Sequence, residues 1–264
     1  MKFVAHQDIK LVAFIKEKTN SSLSLRAIKR ALEKGVCSVN GKKEHFASRD
    51  LFEGDVVELS EDWEGFGEEV AKAKPEVLYE DDFYQIVDKP SGIVSEDKNF
   101  SYQLVHRLDK GTSGVLILAK NKAAFEAMKN LFLEKKIKKS YLALVDGALK
   151  APFGKKSSYL NKKGFMEGQT IWGTAKRGFW AETYWQLLEK FENYSLIILD
   201  IPTGRTHQIR VHLSENGHSV LGDTQYGKKR PFKRLMLHSL SIEFLHPFLK
   251  KKILVYANKI QNWL

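Results

Sequence analysis

Residues 105–121, VHRLDKGTSGVLILAKN, join a charged loop to an apolar strand. Asp109 lies between His106 and Arg107 on one side and Lys110 on the other, and residues 115–119 follow as an uninterrupted β-rich run. Neighbouring positive charge favours the ionised form of a carboxylate. An ionised aspartate can act as a nucleophile or as a base, although a surface ion pair at a turn gives the same local pattern.

A second dense group of polar side chains follows about a hundred residues later. Residues 202–213, PTGRTHQIRVHL, contain Arg205, His207, Gln208 and Arg210. Residues 222–228, GDTQYGK, have the spacing of a phosphate-binding loop, but a lysine follows where a magnesium-binding Ser or Thr is needed. With one cysteine and few clustered acids, we expect no metal site.

Three more segments complete an ordered set: DKPSGIVSED (88–97), KSYLALVDG (139–147) and RLMLHSLSIEFLHP (234–247). Together the five segments resemble the RluA family of pseudouridine synthases over nearly all of residues 75–250. The resemblance implies an α+β fold whose mixed, mostly antiparallel central sheet has flanking helices and a cleft across its middle. It also implies a reaction that needs no cofactor or metal, in which an RNA uridine is isomerised to pseudouridine.

The resemblance also assigns roles to single positions. Asp109 matches the catalytic aspartate, which either attacks C1′ of the ribose or removes a proton from C2′. Tyr141 matches a tyrosine that lies against the uracil ring, and Arg205 matches an arginine that pairs with the aspartate. Arg107 is expected to enter or order the RNA where the base has left the helix. Further RNA contacts are expected from His106, Arg26, Lys29, Arg30, His207, Gln208 and Arg210.

The first sixty residues have the pattern of a separate small module. Helices are predicted over 10–18 and after Ser24, and strands over 36–39 and 56–59, with a tight turn at Asn40-Gly41. Residues 24–43 and 53–59 resemble the RNA-binding domain named after the fourth small-subunit ribosomal protein. A generic helical module with a solvated cationic face is the alternative. We therefore predict an RNA-binding domain over 1–60, a linker over 61–74 and the catalytic domain over 75–264.

Short β-rich runs dominate the predicted catalytic domain, at 77–79, 84–87, 115–119, 141–145, 195–201 and 253–256, with helices at 122–134 and 206–216. Residues 151–180 have no clear counterpart in the family. Their interleaved lysines and aromatic residues suit either RNA contact or a solvated loop with an apolar anchor.

The composition points to a polyanionic partner. Lys and Arg number 43 against 32 Asp and Glu, a formal net charge of +11, which attracts nucleic acid. Apolar runs are too short to cross a bilayer, we see no secretory signal, and the single Cys37 fits a reducing cytoplasm. We expect a cytoplasmic monomer that modifies large-subunit ribosomal RNA. A transfer-RNA substrate, or a non-catalytic RNA-binding protein on the same scaffold, is the alternative.

Overall fold

A computed structural model describes residues 1–19, 25–33, 35–60, 63, 75–166, 169–228 and 232–257. The chain forms two compact units, Met1–Ala73 and Lys74–Leu264. Apart from Trp63, the predicted linker over 61–74 lies outside the described residues, as does Ser24, which was expected to begin the second helix. The predicted domain limits therefore stay predictions.

The described residues of the first unit form two short helices and six short strands. They are β1 (Lys2–Val4), β2 (Ile9–Lys10), α1 (Leu11–Lys18), α2 (Leu25–Glu33), β3 (Cys37–Val39), β4 (Lys42–Lys43), β5 (Asp50–Leu51) and β6 (Val56–Leu59). Four strands form a sheet in the order β1-β6-β3-β4, and β2 pairs with β5. The turn between β3 and β4 is made by Asn40 and Gly41 with φ of 51° and 75°, as predicted for residues that accept positive φ.

The helices of this unit bury the apolar residues that recur in the sequence at helical spacing. Leu11 and Ile15 of α1 share a core with Ile28 and Leu32 of α2. Lys29 is exposed on the other side of α2. The side chains of Arg26 and Arg30 lie outside the described part of the chain.

The second unit is built on one large sheet. Its elements are β7 (Glu76–Glu80), β8 (Tyr84–Lys89), β9 (Gln103–Leu104), β10 (Ser113–Ala119), α3 (Lys122–Leu133), β11 (Lys138–Asp146), β12 (Phe153–Met166), β13 (Gln169–Ala175), β14 (Phe179–Lys190), β15 (Tyr194–Asp200), α4 (Gln208–Glu215), β16 (Leu237–Leu245) and β17 (Lys252–Tyr256). The eleven strands run in the order β13-β12-β14-β15-β11-β16-β10-β8-β7, with β17 on β16 and β9 on β10. The pairing of β10 with β16 is parallel, and the other described pairings are antiparallel.

Gly114 fixes the position of β10 against its parallel partner. It pairs with Ser239 of β16 and has φ of +107°, a conformation that L side chains rarely adopt. A Cβ added there would collide with the carbonyl oxygen of Ser239. The glycine of the TSG segment therefore lets β10, which follows the Asp109 loop, approach β16 closely.

The segment 151–180 is strand rather than the solvated loop that the sequence also allowed. It forms all of β12, all of β13 and the start of β14. A β-bulge separates Lys162 from Gly164 in the pairing with β13. The sequence did not reveal these strands, because exposed lysines interrupt the alternation of apolar and polar residues. They can do so at the edge of the sheet, where one face is solvated.

Val211 and His212 are among the residues through which helix α4 packs on β12 and β14. Val211 lies in a buried cluster with Leu160 and Ala181. His212 is fully buried, with Nε2 3.0 Å from Ser158 Oγ and Nδ1 2.9 Å from Thr183 Oγ1. The ring thus joins the helix to both strands. None of the described helices is long and apolar enough to cross a membrane.

The buried His212 should make the stability of the protein depend on pH. Burial lowers the pKa of His212 from 6.5 to about 4, so between these values the unfolded chain binds a proton that the folded protein does not. The free energy of unfolding must therefore fall as the pH drops below 6.5. Between pH 7 and pH 5 we expect this residue to account for about 2 kcal/mol. Urea unfolding at pH 7 and at pH 5 gives the free energy of unfolding that is lost on acidification. This loss should be smaller by that amount in His212→Gln than in the wild type. An equal loss in both proteins would show that His212 is not the source of the pH dependence.

Candidate active site

Asp109 lies on the loop between β9 and β10, and the backbone of that loop is tightly fixed. Leu108 is buried, and its amide and carbonyl both hydrogen bond with Ser95 Oγ, at 3.1 and 2.9 Å. The carbonyl of Asp109 accepts a hydrogen bond from Thr112 N at 3.0 Å. The carboxylate itself keeps 24% of its side-chain surface exposed. A rigid backbone thus presents an accessible acid.

A buried ammonium ties a neighbouring loop to this one. Lys89, at the end of β8, is fully buried and donates to the carbonyls of Pro90 and Ile93, both at 2.9 Å. Gly92 N and Ser91 Oγ donate across to the carbonyls of Lys110 and Gly111, at 2.8 and 2.7 Å. Burial lowers the pKa of Lys89 to about 8, against the opposing effect of nearby Asp109. The sequence assigns no role to Lys89, because nothing in the spacing of the segment distinguishes a buried lysine from an exposed one.

Arg210, in the first turn of α4, is the cation that contacts Asp109 among the described residues. Its Nη1 lies 3.2 Å from Asp109 Oδ2. The same guanidinium makes a two-pronged contact with Asp223, with Nε–Oδ2 at 2.7 Å and Nη2–Oδ1 at 2.9 Å, and Nη2 also donates to Gln225. A planar guanidinium suits such a double role. One arginine therefore holds two carboxylates, of which Asp223 is buried and Asp109 is open.

The predicted pairing of Arg205 with Asp109 is wrong in this structure. Arg205 is exposed on the loop before α4, and its Nε donates to the carbonyl of Trp180 at 3.1 Å. Arg210 instead lies on the buried side of the helix, which faces Asp109. The sequence contained both arginines, but nothing in it told which would face the acid.

His207 is a second polar neighbour of the acid. Its Nε2 lies 3.9 Å from Asp109 Oδ2, and its Nδ1 lies 2.8 Å from the hydroxyl of Tyr226. It occupies the left-handed region with φ of 55°, a backbone strain found at functional sites. Burial, the largest effect, lowers the pKa of His207 although Asp109 opposes it. The Tyr226 ring lies 5.0 Å from the Arg210 guanidinium, and sequence reasoning had missed this tyrosine.

Tyr141 lies on β11, almost fully buried, with its ring in the main core of this unit. Burial raises the pKa of Tyr141 to about 12, and nearby Asp109 also raises it. The phenol is therefore neutral near pH 7 and could supply a flat surface and a hydroxyl.

Two residues predicted to contact RNA have internal roles instead. Gln208 is 3% exposed, and its amide group bonds with Thr203, Thr183 and the backbone of Glu182 and Arg205. Arg210 is similarly committed to its two acids. Their side-chain polar atoms are used within the protein, and the predicted contacts of both residues with RNA stay predictions.

The remaining predicted contacts differ in position. His106 accepts a hydrogen bond from Ile117 N at 3.0 Å and packs on Phe132, and burial lowers its pKa to about 3. Arg107, beside it, is exposed. The predicted contacts of both with RNA stay predictions. Chemically, the site offers one accessible carboxylate that is oriented by a guanidinium and bordered by a neutral imidazole and a neutral phenol.

The site lies in a part of the chain that matches known proteins. The profile of the RNA pseudouridylate synthase family matches residues 84–215. The ribosomal large subunit pseudouridine synthase C of Buchnera aphidicola subsp. Acyrthosiphon pisum (strain APS) is 38% identical over 207 residues, which are 69% of this chain and 66% of that protein. The protein of the same name from Vibrio cholerae serotype O1 is 33% identical over 264 residues, 86% of this chain and 82% of that one.

Solved structures give the same result for the fold. The human RNA pseudouridylate synthase domain containing 1 has a TM-score of 0.62 and 27% identity, over 71% of this chain and 84% of that chain. The human RNA pseudouridylate synthase domain containing 4 has a TM-score of 0.60 and 21% identity, over 71% and 89%. The predicted α+β fold with a mostly antiparallel sheet is confirmed.

Proposed function

Because this chain belongs to the RNA pseudouridylate synthase family, we propose that it isomerises uridines of RNA to pseudouridine, with large-subunit ribosomal RNA as its substrate. The observation that carries the proposal is the accessible Asp109 carboxylate held 3.2 Å from the Arg210 guanidinium. The names of the Buchnera and Vibrio relatives favour ribosomal RNA.

In the proposed reaction Asp109 starts the cleavage of the bond between N1 of uracil and C1′ of the ribose. It does so either by attacking C1′ or by taking the proton from C2′. The detached base turns, and C5 then bonds to C1′. In the first case the bond between Asp109 and C1′ breaks as C5 bonds, and in the second case the proton returns to C2′. The proton leaves C5 and N1 gains one, so the product is an isomer of the substrate and no co-reactant is consumed.

Each neighbouring side chain has a role in this proposal. Arg210 orients Asp109 and balances its charge, Tyr141 supports the uracil ring, and Arg107 occupies or orders the place in the RNA that the target nucleotide leaves. Arg205 stays a candidate for the site through its place beside α4, although its contact is not with Asp109.

The test uses RNA labelled with tritium at C5 of uracil, because pseudouridine formation releases that label to water. Purified full-length protein should release tritium from large-subunit ribosomal RNA transcripts. Release from transfer RNA transcripts alone would assign the alternative substrate. Tight RNA binding without release from either RNA would overturn the enzymatic proposal and leave a non-catalytic RNA-binding protein.

We also propose that the first unit is an RNA-binding domain of the ribosomal-protein type and that Lys29 and Arg30 of α2 contact phosphates. Changing both to Glu should weaken binding of ribosomal RNA roughly tenfold or more. The slope of log affinity against log salt should fall by about one for each lost phosphate contact, while kcat at saturating RNA stays near the wild-type value.

The matched control changes Lys135 and Lys136 to Glu, in the turn after α3. It alters the net charge equally. Unchanged affinity for RNA in this control would show that Lys29 and Arg30 act by local contact and not through the overall charge of the protein. Equal loss of affinity in both double variants would contradict the assignment of the first unit. We further propose that the protein acts as a monomer in the cytoplasm, which light scattering of the purified chain and cell fractionation would test.

A further inference from the structure

A series of aromatic rings leads away from Asp109 across the sheet. The Tyr226 ring lies 5.0 Å from the Arg210 guanidinium, and its hydroxyl accepts a hydrogen bond from Trp172 N at 2.9 Å. The ring centroids of Trp172 and Phe179 are 6.2 Å apart and tilted by 51°. Phe179, at the start of β14, ends the series with 54% of its surface exposed.

Phe179 lies on the face of the sheet that carries α4. Side chains alternate along a strand, and Ala181, two residues on, is buried with Leu160 and Val211 of α4. Phe179 pairs across the strands with Leu160, which lies in the same cluster. The intervening Trp180 points to the opposite face. An exposed aromatic ring is therefore on the same side of the sheet as the helix that positions Asp109.

Positive charge accompanies this ring. The guanidinium carbon of Arg205 lies 5.6 Å from the Phe179 ring centroid, and the hydrogen bond from its Nε to the carbonyl of Trp180 holds the group in place. Lys176 and Arg177 are exposed in the turn before β14. An exposed ring with a guanidinium over it and two further cations in the preceding turn suits a nucleotide, because a base stacks on such a ring while the phosphates bind the cations.

We propose that Phe179, Trp172 and Arg205 form a stacking site for an unpaired nucleobase of the substrate RNA close to the target uridine. This inference rests on the proposed function and extends it to recognition of the flanking strand. A base in a duplex has its faces covered by its neighbours, so the site selects nucleotides that are unpaired. An apolar protein segment would bring no charge to complement the three cations.

The experiment measures binding of a fluorescein-labelled U12 oligoribonucleotide to the full chain by fluorescence anisotropy. Phe179→Ala should raise the Kd about tenfold, and Phe179→Trp, which keeps an aromatic face, should stay within about twofold of wild type. Phe153→Ala, at a 66% exposed aromatic position on β12, is the matched control and should leave the Kd unchanged. Affinity for a twelve-base-pair RNA duplex should be the same in all variants. Repeating the series in the Lys29→Glu, Arg30→Glu background removes the proposed contribution of the first unit.

Three results would overturn the inference. They are a Kd of Phe179→Ala within about twofold of wild type, an equal loss in Phe153→Ala, or displacement of U12 by a polyglutamate peptide of equal charge as effectively as by unlabelled U12. Tritium release by the wild type is scored separately. If U12 binding depends on Phe179 but no RNA releases tritium, the proposed function fails while the stacking site stands.

Discussion

Asp109→Asn is expected to lower the rate of pseudouridine formation on the order of 10⁴-fold while leaving RNA binding intact. The amide has nearly the same shape and can still accept a hydrogen bond from Arg210. It carries no negative charge, however, and can neither attack C1′ nor remove a proton from C2′ effectively. Tritium release under single-turnover conditions measures the loss, because it reports the chemical step and not product release.

The control for this change is Asp82→Asn, on the exposed turn between β7 and β8. It removes one negative charge from the same unit and should leave the rate unchanged. Thermal unfolding should give similar midpoints for the wild type and both variants. An undiminished rate in Asp109→Asn would remove the basis of the proposed mechanism, whatever the affinity for RNA.

Arg210→Met is expected to damage stability and activity together. The side chain of Asp223 is fully buried and relies on the two-pronged contact with Arg210 for charge compensation. Removing the guanidinium leaves the buried carboxylate of Asp223 without a compensating charge. This should lower the free energy of unfolding by about 3–5 kcal/mol. Because Asp109 then lacks the partner that orients it, the rate of pseudouridine formation should also fall roughly a hundredfold. Urea unfolding and single-turnover tritium release measure the two effects.

The two effects can be separated with a second substitution. In Arg210→Met, Asp223→Asn no buried charge is left unpaired, and the amide oxygen can still accept from Gln225 N and Tyr226 N as Asp223 does. Most of the stability should return, while the rate stays low because Asp109 still lacks its cation. Recovery of both properties would mean that Arg210 acts only on the fold, and recovery of neither would mean that the buried pair is not the source of the instability.

This arrangement divides two tasks between two acids. Asp223 fixes the guanidinium of Arg210 from the buried side. Burial raises the pKa of Asp223, but the hydrogen bonds and charge of Arg210 hold that pKa below its usual range. The free end of the same guanidinium meets Asp109, which keeps part of its surface accessible. The site thus combines a firmly placed cation with an acid that a substrate can reach, and such preorganisation favours catalysis.

The sequence by itself determined several strands and turns of the fold. Residues 84–87, 115–119 and 141–145 were predicted as strands, and each lies in the large sheet. The Asn40-Gly41 turn was also correctly predicted. These features follow from near neighbours, because apolar alternation and positive φ are properties of short segments. The loop that carries Asp109 could be singled out for the same reason, since its charges and the TSG segment are contiguous.

Only the tertiary structure decided which groups meet. Arg210 and Asp109 are 101 residues apart, and whether Arg205 or Arg210 faces the acid depends on how α4 lies on the sheet. Lys89 is buried because two loops close over it. The strands β12 and β13 form because β12 can pair with the neighbouring β14. Distances of this kind are set by packing and register, which no local pattern encodes. The loop that carries Asp109 was therefore visible in the sequence, while the arginine that contacts Asp109 was not.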